Sequence, residues 1–243
     1  MYKISLYLLF SLFISCSSGM FFKNNKKEQS WVSLSNVTGQ SLWSRYGNNT
    51  EKLNDFWVFE NGVLTCNTSG DRDHSGSWFL LEKELRDFEF KFKFRYDKNL
   101  GGNSGLQVRS RLDLENNKMQ GPQIDIHPPK PFRTGLIYGE TTGVNHWLFP
   151  VTDTWKLASY DTPKDFVMYT DGIRWNEMYV KCEGTKIMTK INNVTIADFD
   201  GKGVLDDTLH KKLGVGLSGK IAFQLHKKHD VYIQFRDIYL KKF

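Results

Sequence analysis

Cysteine is scarce in this chain: Cys16, Cys66 and Cys182 are the only three in 243 residues, and no two stand at the short spacing of a zinc-ligand pair. A structural zinc site is therefore not expected. Long apolar runs are missing too, and the longest, Ile4 to Ile14, falls short of the ~20 residues that cross a bilayer. No long segment keeps a helical apolar period, and no internal repeat is visible. Excess charge is modest, with a formal net charge of +6. The basic residues are scattered, with small clusters at "HKK", "HKKH" and "KKF" and no RNA-binding or helix-turn-helix motif, so nucleic acid is not the expected partner.

What is present at the N-terminus is the layout of a secretory signal: charged Lys3, the apolar run, then Ser15 and Cys16. "LFISC" resembles the lipobox of bacterial lipoproteins, in which cleavage precedes an acylated cysteine. Residues 1–15 read as a signal peptide, Cys16 as the lipidation site, and residues 16–30, rich in Ser, Asn and Lys, as a flexible tether. A membrane is then a partner through the lipid, and the expected location is the bacterial periplasm or outer membrane. Residues 31–243 read as one domain with one large core. In an exported chain Cys66 and Cys182 either pair as a disulfide or stand as two buried thiols.

The clearest structural signal is "DFEFKFKFRY", where Phe88, Phe90, Phe92, Phe94 and Tyr96 alternate with Glu89, Lys91, Lys93 and Arg95. Such a strand has one aromatic core face and one charged solvent face. "DVYIQFRDIYLKKF" alternates similarly, with a slip of phase at Arg236 and Asp237 that predicts a bulge or bend. "CEGTK" and "INNVT" read as hairpin turns. Many further short runs rich in aromatic and β-branched residues, separated by Gly, Asn and Asp, predict an all-β fold of two antiparallel sheets packed face to face. Residues 141–165 read as a long loop bordering a site.

"GPQIDIHPP" places Gln123, Asp125 and His127 on one strand face and Ile124 and Ile126 on the other. The same mixture recurs elsewhere: Gln107, Arg109 and Arg111 in "NSGLQVRSR", Tyr138 and Glu140 in "GLIYGE", Gln224 and His226 in "IAFQLH". Any half-exposed sheet alternates, but an ordinary wet face favours Lys, Glu and Thr. Amides, guanidinium, phenol and imidazole together suggest the floor of a site, with Arg111 and His127 at its rim. His74, His146, His210 and His229 lie in polar segments and read as surface residues; Trp43, Trp57 and Trp78 read as core, and Trp147 as either core or sugar platform.

Taken in order and spacing, "DFEFKFKFRYDKNLGGNSGLQVRS", "GPQIDI", "TGLIYGE", "RWNEMYV" and "GKIAFQLHKKHDVYIQFRDIYLKK" resemble the 3-keto-disaccharide hydrolase family, over roughly residues 30–243. The resemblance implies a concanavalin-like jelly roll with a concave sugar-binding sheet, acting on glucosides already oxidised to a ketone at C3. Many family members carry Glu-x-Gln where this chain has Pro122 and Gln123; the chain is similar to the branch reading Gly-x-Gln-x-Asp, followed by Tyr-x-Glu.

A C3 ketone acidifies the C2 hydrogen, so a base can form an enolate that expels the C1 substituent, after which water adds to the enone. The expected catalytic residues are Asp125, Glu140 and His226, with Asp125 or His226 as base and Glu140 or Tyr138 assisting departure. The expected substrate-binding residues are Gln107, Arg109, Gln123, Tyr138, Gln224 and Trp147, of which Arg109 with Gln123 or Gln224 steadies the oxyanion or hydroxyls. Two other chemistries use the same residues. Asp125 and Glu140 also suit a two-carboxylate glycosidase, and Asp125, Glu140 and His226 could converge on a divalent cation. A different class of reading is a non-catalytic carbohydrate-binding module on the cell surface.

Overall fold

The computed structural model describes residues 30–243, apart from 49, 69, 98, 100, 101, 128–131, 158 and 159. The expected signal peptide, the lipidated Cys16 and all of the tether but its last residue lie outside the described residues. In chain order the strands of the first half are β1 (Val32–Ser33), β2 (Trp43–Gly47), β3 (Trp57–Glu60), β4 (Val63–Asn67), β5 (Ser77–Leu85), β6 (Phe88–Tyr96), β7 (Ser104–Asp113) and β8 (Lys118–Gln120). Those of the second half are β9 (Pro122–Ile126), β10 (Ile137–Gly139), β11 (Trp147–Phe149), β12 (Asn176–Glu183), β13 (Lys186–Ile191), β14 (Val194–Asp200), β15 (Gly219–Leu225) and β16 (Tyr232–Lys242). Three short helices interrupt them.

Two antiparallel sheets form a sandwich. One runs β14-β13-β12-β6-β16-β4-β3 with β1 added against β16; the other runs β11-β10-β9-β7-β15-β5-β2 with β8 added against β7. The aromatic face of β6 does what its alternation predicts: Phe88, Phe90, Phe92 and Phe94 are at most 1% exposed, while the charged residues between them are half-buried. Phe92 meets Phe223 of the facing sheet edge-on at 5.1 Å, and Phe223 stacks on Phe235 at 4.2 Å. Each such ring contributes roughly 2 kcal/mol of burial to the adhesion of the layers.

Both expected turns are present. Ile191 pairs with Val194 around Asn192 and Asn193, whose φ values of 49° and 67° are the left-handed pair a tight hairpin needs. The slip in β16 is present too: its pairing with β6 shifts between Arg236 and Tyr239, and Asp237 has φ 50°. The expected loop 141–165 contains one strand, β11.

The open choice at the two cysteines is decided, and three expectations need correction. Cys66 and Cys182 are free and buried, not a disulfide. Cys182 lies opposite Phe88 at one end of β6, whereas Cys66 lies opposite Ile233, itself opposite Tyr96 at the other end. Eight residues along and three strands across put them ~30 Å apart, far beyond the reach of a disulfide. Burial pushes the Cys182 thiol up to about 12 and Cys66 well above its ordinary value, so both stay protonated and inert.

Arg109 does not face the site. Ala222 pairs with Gln107 and Lys220 with Ser110, so Val108 and Arg109 together oppose Ile221 in a bulge, with Arg109 at φ 49°. Gly219 permits it, since a Cβ there would lie 2.5 Å from the Arg109 carbonyl carbon. The bulge reverses the phase of β7 and sends the guanidinium to the sandwich rim. There it donates to the carbonyls of Arg86 (2.6 Å), Gly184 (2.6 Å) and Gly216 (3.4 Å) and pairs with Asp87 at 2.9 Å. His74 and His210, expected at the surface, are buried and hydrogen-bonded. His74 lies between the carbonyls of Ser75 and His229, and His210 between Asp207 and Thr141.

Candidate functional site

Strand register lays the polar side chains out in two rows on the face of the second sheet that points away from the core. One row reads Trp78, Gln224, Gly105, Asp125, and the next Leu80, Ala222, Gln107, Gln123, Tyr138. The Ile124 and Ile126 side chains on the opposite face of β9 are fully buried between the sheets, which fixes the direction of Gln123 and Asp125. The face is roofed: the β7–β8 hairpin lays Met119 on Trp78, Leu80 and Ala222, and the Asn117 side chain donates to the Gly76 carbonyl at 3.1 Å.

Asp125, Gln123, Tyr138, Glu140, Trp147 and His226 line one cavity of about 210 Å³. A second cavity of about 400 Å³ adjoins it, sharing Glu140 and His226 and adding Gln224. Thus seven of the nine expected catalytic and substrate-binding residues meet in one cleft. Gln107 stands behind it, donating to Gln123 Oε1 at 2.8 Å and accepting from Ser110 Oγ at 3.0 Å. With its oxygen occupied, Gln123 turns N–H groups toward the cavity. Gly105 leaves room for this: a Cβ there would fall 2.5 Å from Gln123 Cδ. Gly105→Ala is expected to displace Gln123 and lower kcat/KM by at least ~10-fold while the protein stays folded, since misplacing a positioning group by 1 Å can cost 10²-fold. Steady-state kinetics with a melting curve checks it.

The electrostatics separate the ionisable groups. Burial pushes the Asp125 carboxyl up to about 7, against the pull of Arg133 and with a further push from Glu140; the Ile126 backbone N–H also favours its ionised form. Arg133 Nε sits 3.1 Å from Asp125 Oδ2, yet the N–H is not aligned on it, and neither atom has a hydrogen-bond partner. Burial also raises Glu140, opposed by a hydrogen bond from Gln224 and by Lys118 and Lys227. Burial and then Glu140 raise the Tyr138 phenol, which stays protonated at neutral pH.

His226 is brought down to about 4, first by burial and then by His229, whose ring is 4.6 Å away. Its Nδ1 lies 2.9 Å from the Lys227 carbonyl, which can only accept. The proton therefore sits on Nδ1, and Nε2 keeps its lone pair. Trp147 is both core and wall: it is buried, donates to the Trp155 carbonyl at 2.9 Å, and meets Tyr138 edge-on at 5.2 Å. Among the described residues no three His, Cys, Asp or Glu side chains cluster closely enough to hold a metal ion, so Asp125, Glu140 and His226 share the cleft without converging.

Asn103, Arg133, Asn145 and Trp155 complete the smaller cavity and carry no alternation that marks them. One signal for Arg133 was available. Asp125 and the segment after Arg133 exchange backbone bonds, Asp125 N to Leu136 O and Gly135 N to Asp125 O, both 2.9 Å. Reading "IDIHPPKPFRTGLIY" as a hairpin would have brought Arg133 back beside Asp125. Arg111 is tied to Glu84 (2.6 Å) and the Gly214 carbonyl, away from the cavity.

Solved structures with this fold include a protein of Parabacteroides distasonis ATCC 8503 provisionally assigned as a glycosyl hydrolase. It is 20% identical, with a TM-score of 0.55 over 88% of this chain and 100% of that one. A Bacillus subtilis protein of unknown function with a galectin-like fold is 13% identical, with a TM-score of 0.56 over 88% and 94% of the two chains. The exoplasmic/lumenal domain of VIP36, in its Ca²⁺/Man3GlcNAc-bound form, is 14% identical at a TM-score of 0.50, covering 84% of each chain. These likenesses establish the concanavalin-like sandwich and nothing finer. Among curated proteins none matches the chain. A family model does match, over residues 30–241, and by it this chain belongs to the 3-keto-alpha-glucoside-1,2-lyase-like domain family.

Proposed function

We propose that the protein cleaves 3-keto-glucosides, 3-keto-disaccharides among them, by elimination followed by hydration. The observation that carries this reading is Asp125: a buried carboxylate in a sugar-sized polar cavity, raised to about 7 and held beside an arginine that is not aligned to it. A carboxylate of that basicity is suited to remove a carbon-bound proton near neutral pH, which an ordinary solvated aspartate does poorly.

In this reading Asp125 takes the C2 proton and the C2–H electron pair forms the enolate, with the C3 oxygen facing Arg133. Arg133 takes the oxyanion role that sequence alone would assign to Arg109. The enolate collapses to a C1=C2 double bond, the C1–O bond breaks, and Tyr138 protonates the departing oxygen. Water then adds its oxygen to C1, giving its proton to the Tyr138 phenolate, while Asp125, its carboxyl having exchanged its proton with solvent at the enone stage, delivers a proton to C2. Gln123 N–H groups, Glu140 with Gln224, and His226 Nε2 hold the ring hydroxyls, and Trp147 walls the cavity. The N-terminal sequence supports export and anchoring through Cys16, in the periplasm or outer membrane.

Incubation with 3-keto-α-glucosides and their unoxidised parents in D₂O tests the reaction. The expected outcome is release of the C1 substituent from the ketones only, with deuterium at C2 of the product. Cleavage of the unoxidised parents alone would instead mean a two-carboxylate glycosidase, and sugar binding without any release would mean a binding module.

A further inference from the structure

The chemistry just described reaches only the edge of the larger cavity, at Glu140, His226 and Gln224. Its floor is the Trp78 and Gln224 pair, direct cross-strand neighbours on β5 and β15. Both side chains are nearly buried, 3% and 5% exposed, yet Trp78 Nε1 and Gln224 Oε1 have no hydrogen-bond partner. One is an unpaired N–H donor and the other an unpaired carbonyl acceptor, the two roles that sugar hydroxyls complement. Asn116 and Asn117 of the hairpin tip form the roof.

The charges of this cavity differ from those of its neighbour. Lys118, on β8, and Lys227, just beyond β15, both line it, and both act electrostatically on Glu140. Glu140 is the one carboxyl among the lining residues, and its burial favours the neutral form. The cavity therefore presents two ammonium groups to one buried carboxyl, with Asp113 opposite Lys118 in the β7–β8 pair, whereas the smaller one sets Arg133 against Asp125.

We propose that this cavity is the leaving-group subsite, and that it takes a sugar carrying an anionic substituent, a carboxylate or sulfate ester, held between Lys118 and Lys227. This rests on the elimination reading for the position of the scissile bond, at the junction marked by Glu140 and His226. Its content is a substrate class: acidic 3-keto-disaccharides rather than neutral ones.

The test compares three 3-keto-α-glucosides that differ only in the leaving sugar: a hexuronate, its isosteric uronamide, and a hexose 6-sulfate. The expected result is kcat/KM about tenfold higher for at least one anionic leaving group than for the uronamide, as expected for ion pairs at a partly wet site. That ratio should shrink at 0.5 M salt, where the Debye length is only a few Å. In Lys118→Gln/Lys227→Gln it should fall to about one, and the larger of the two anionic ratios identifies the group.

Ratios near one for both anionic sugars in the unmodified protein, or ratios that the double substitution leaves intact, overturn the proposal. Loss of turnover on every ketone overturns the elimination reading instead. The subsite is then judged by calorimetric titration of free glucuronate and galactose 6-sulfate. Binding weakened several-fold by the double substitution sustains it, and unchanged or absent binding of both overturns it.

Discussion

Asp125→Asn is expected to lower kcat/KM on a 3-keto-glucoside by about 10³-fold, the middle of the range for removing a positioned general base. The substitution keeps size and shape while removing the basic oxygen, so the fold persists and Arg133 stays in place. In the unmodified protein kcat/KM should rise with pH through about 7, because the ionised carboxylate is the reactive form and burial sets its titration there. Stability should move the opposite way. Between the ordinary value of 3.8 and about 7 the folded state holds a proton that the unfolded state has released. Stability therefore falls as pH rises through that window. The substituted amide carries no such proton, so the variant should be more stable than the parent at pH 8 and should lose much of that advantage at pH 4. Melting curves at the two pH values, with pH–rate profiles, check both statements. A variant with near-normal turnover would remove Asp125 from proton transfer.

Arg109→Met should be strongly destabilising. The guanidinium is fully buried, and its bonds tie the β5–β6 turn, the β12–β13 turn and Gly216 to the bulge of β7. Methionine fills part of the volume but leaves three carbonyls without the guanidinium and Asp87 with only the Gly184 N–H. Breaking such a buried charged cluster costs ~3–5 kcal/mol, or a fall in Tm of roughly 10 °C for a domain of this size. Urea and thermal unfolding measure the loss. Because Arg109 points away from the cleft, kcat/KM per folded molecule at 20 °C should stay within about threefold. An unchanged Tm with lost activity would return Arg109 to the substrate, where alternation alone would place it.

That pair of arginines shows how far the site was legible. The period-two pattern of β6, β9 and β16 is a local property, so the two-sheet architecture and the inward faces follow from reading along the chain. So do Gln123, Asp125, Tyr138, Glu140, Gln224 and His226, because each stands in phase with an apolar partner that must be buried. The slip at Asp237 was visible because apolar residues bracket it. The slip at Arg109 was not: Val108 and Ser110 beside it are buried as well, so the polar pattern continued unbroken while the strand changed phase.

The amino-acid sequence alone determined the sandwich and the polar strip on its second sheet, since burial of alternate side chains is decided residue by residue. Only the tertiary structure decided that Arg133 and not Arg109 stands beside Asp125, that Gln107 works from behind, and that Cys66 and Cys182 lie at opposite ends of a sheet. Each of these depends on how many residues one strand sets against its partner and where a loop returns. That count is made between segments far apart in the chain.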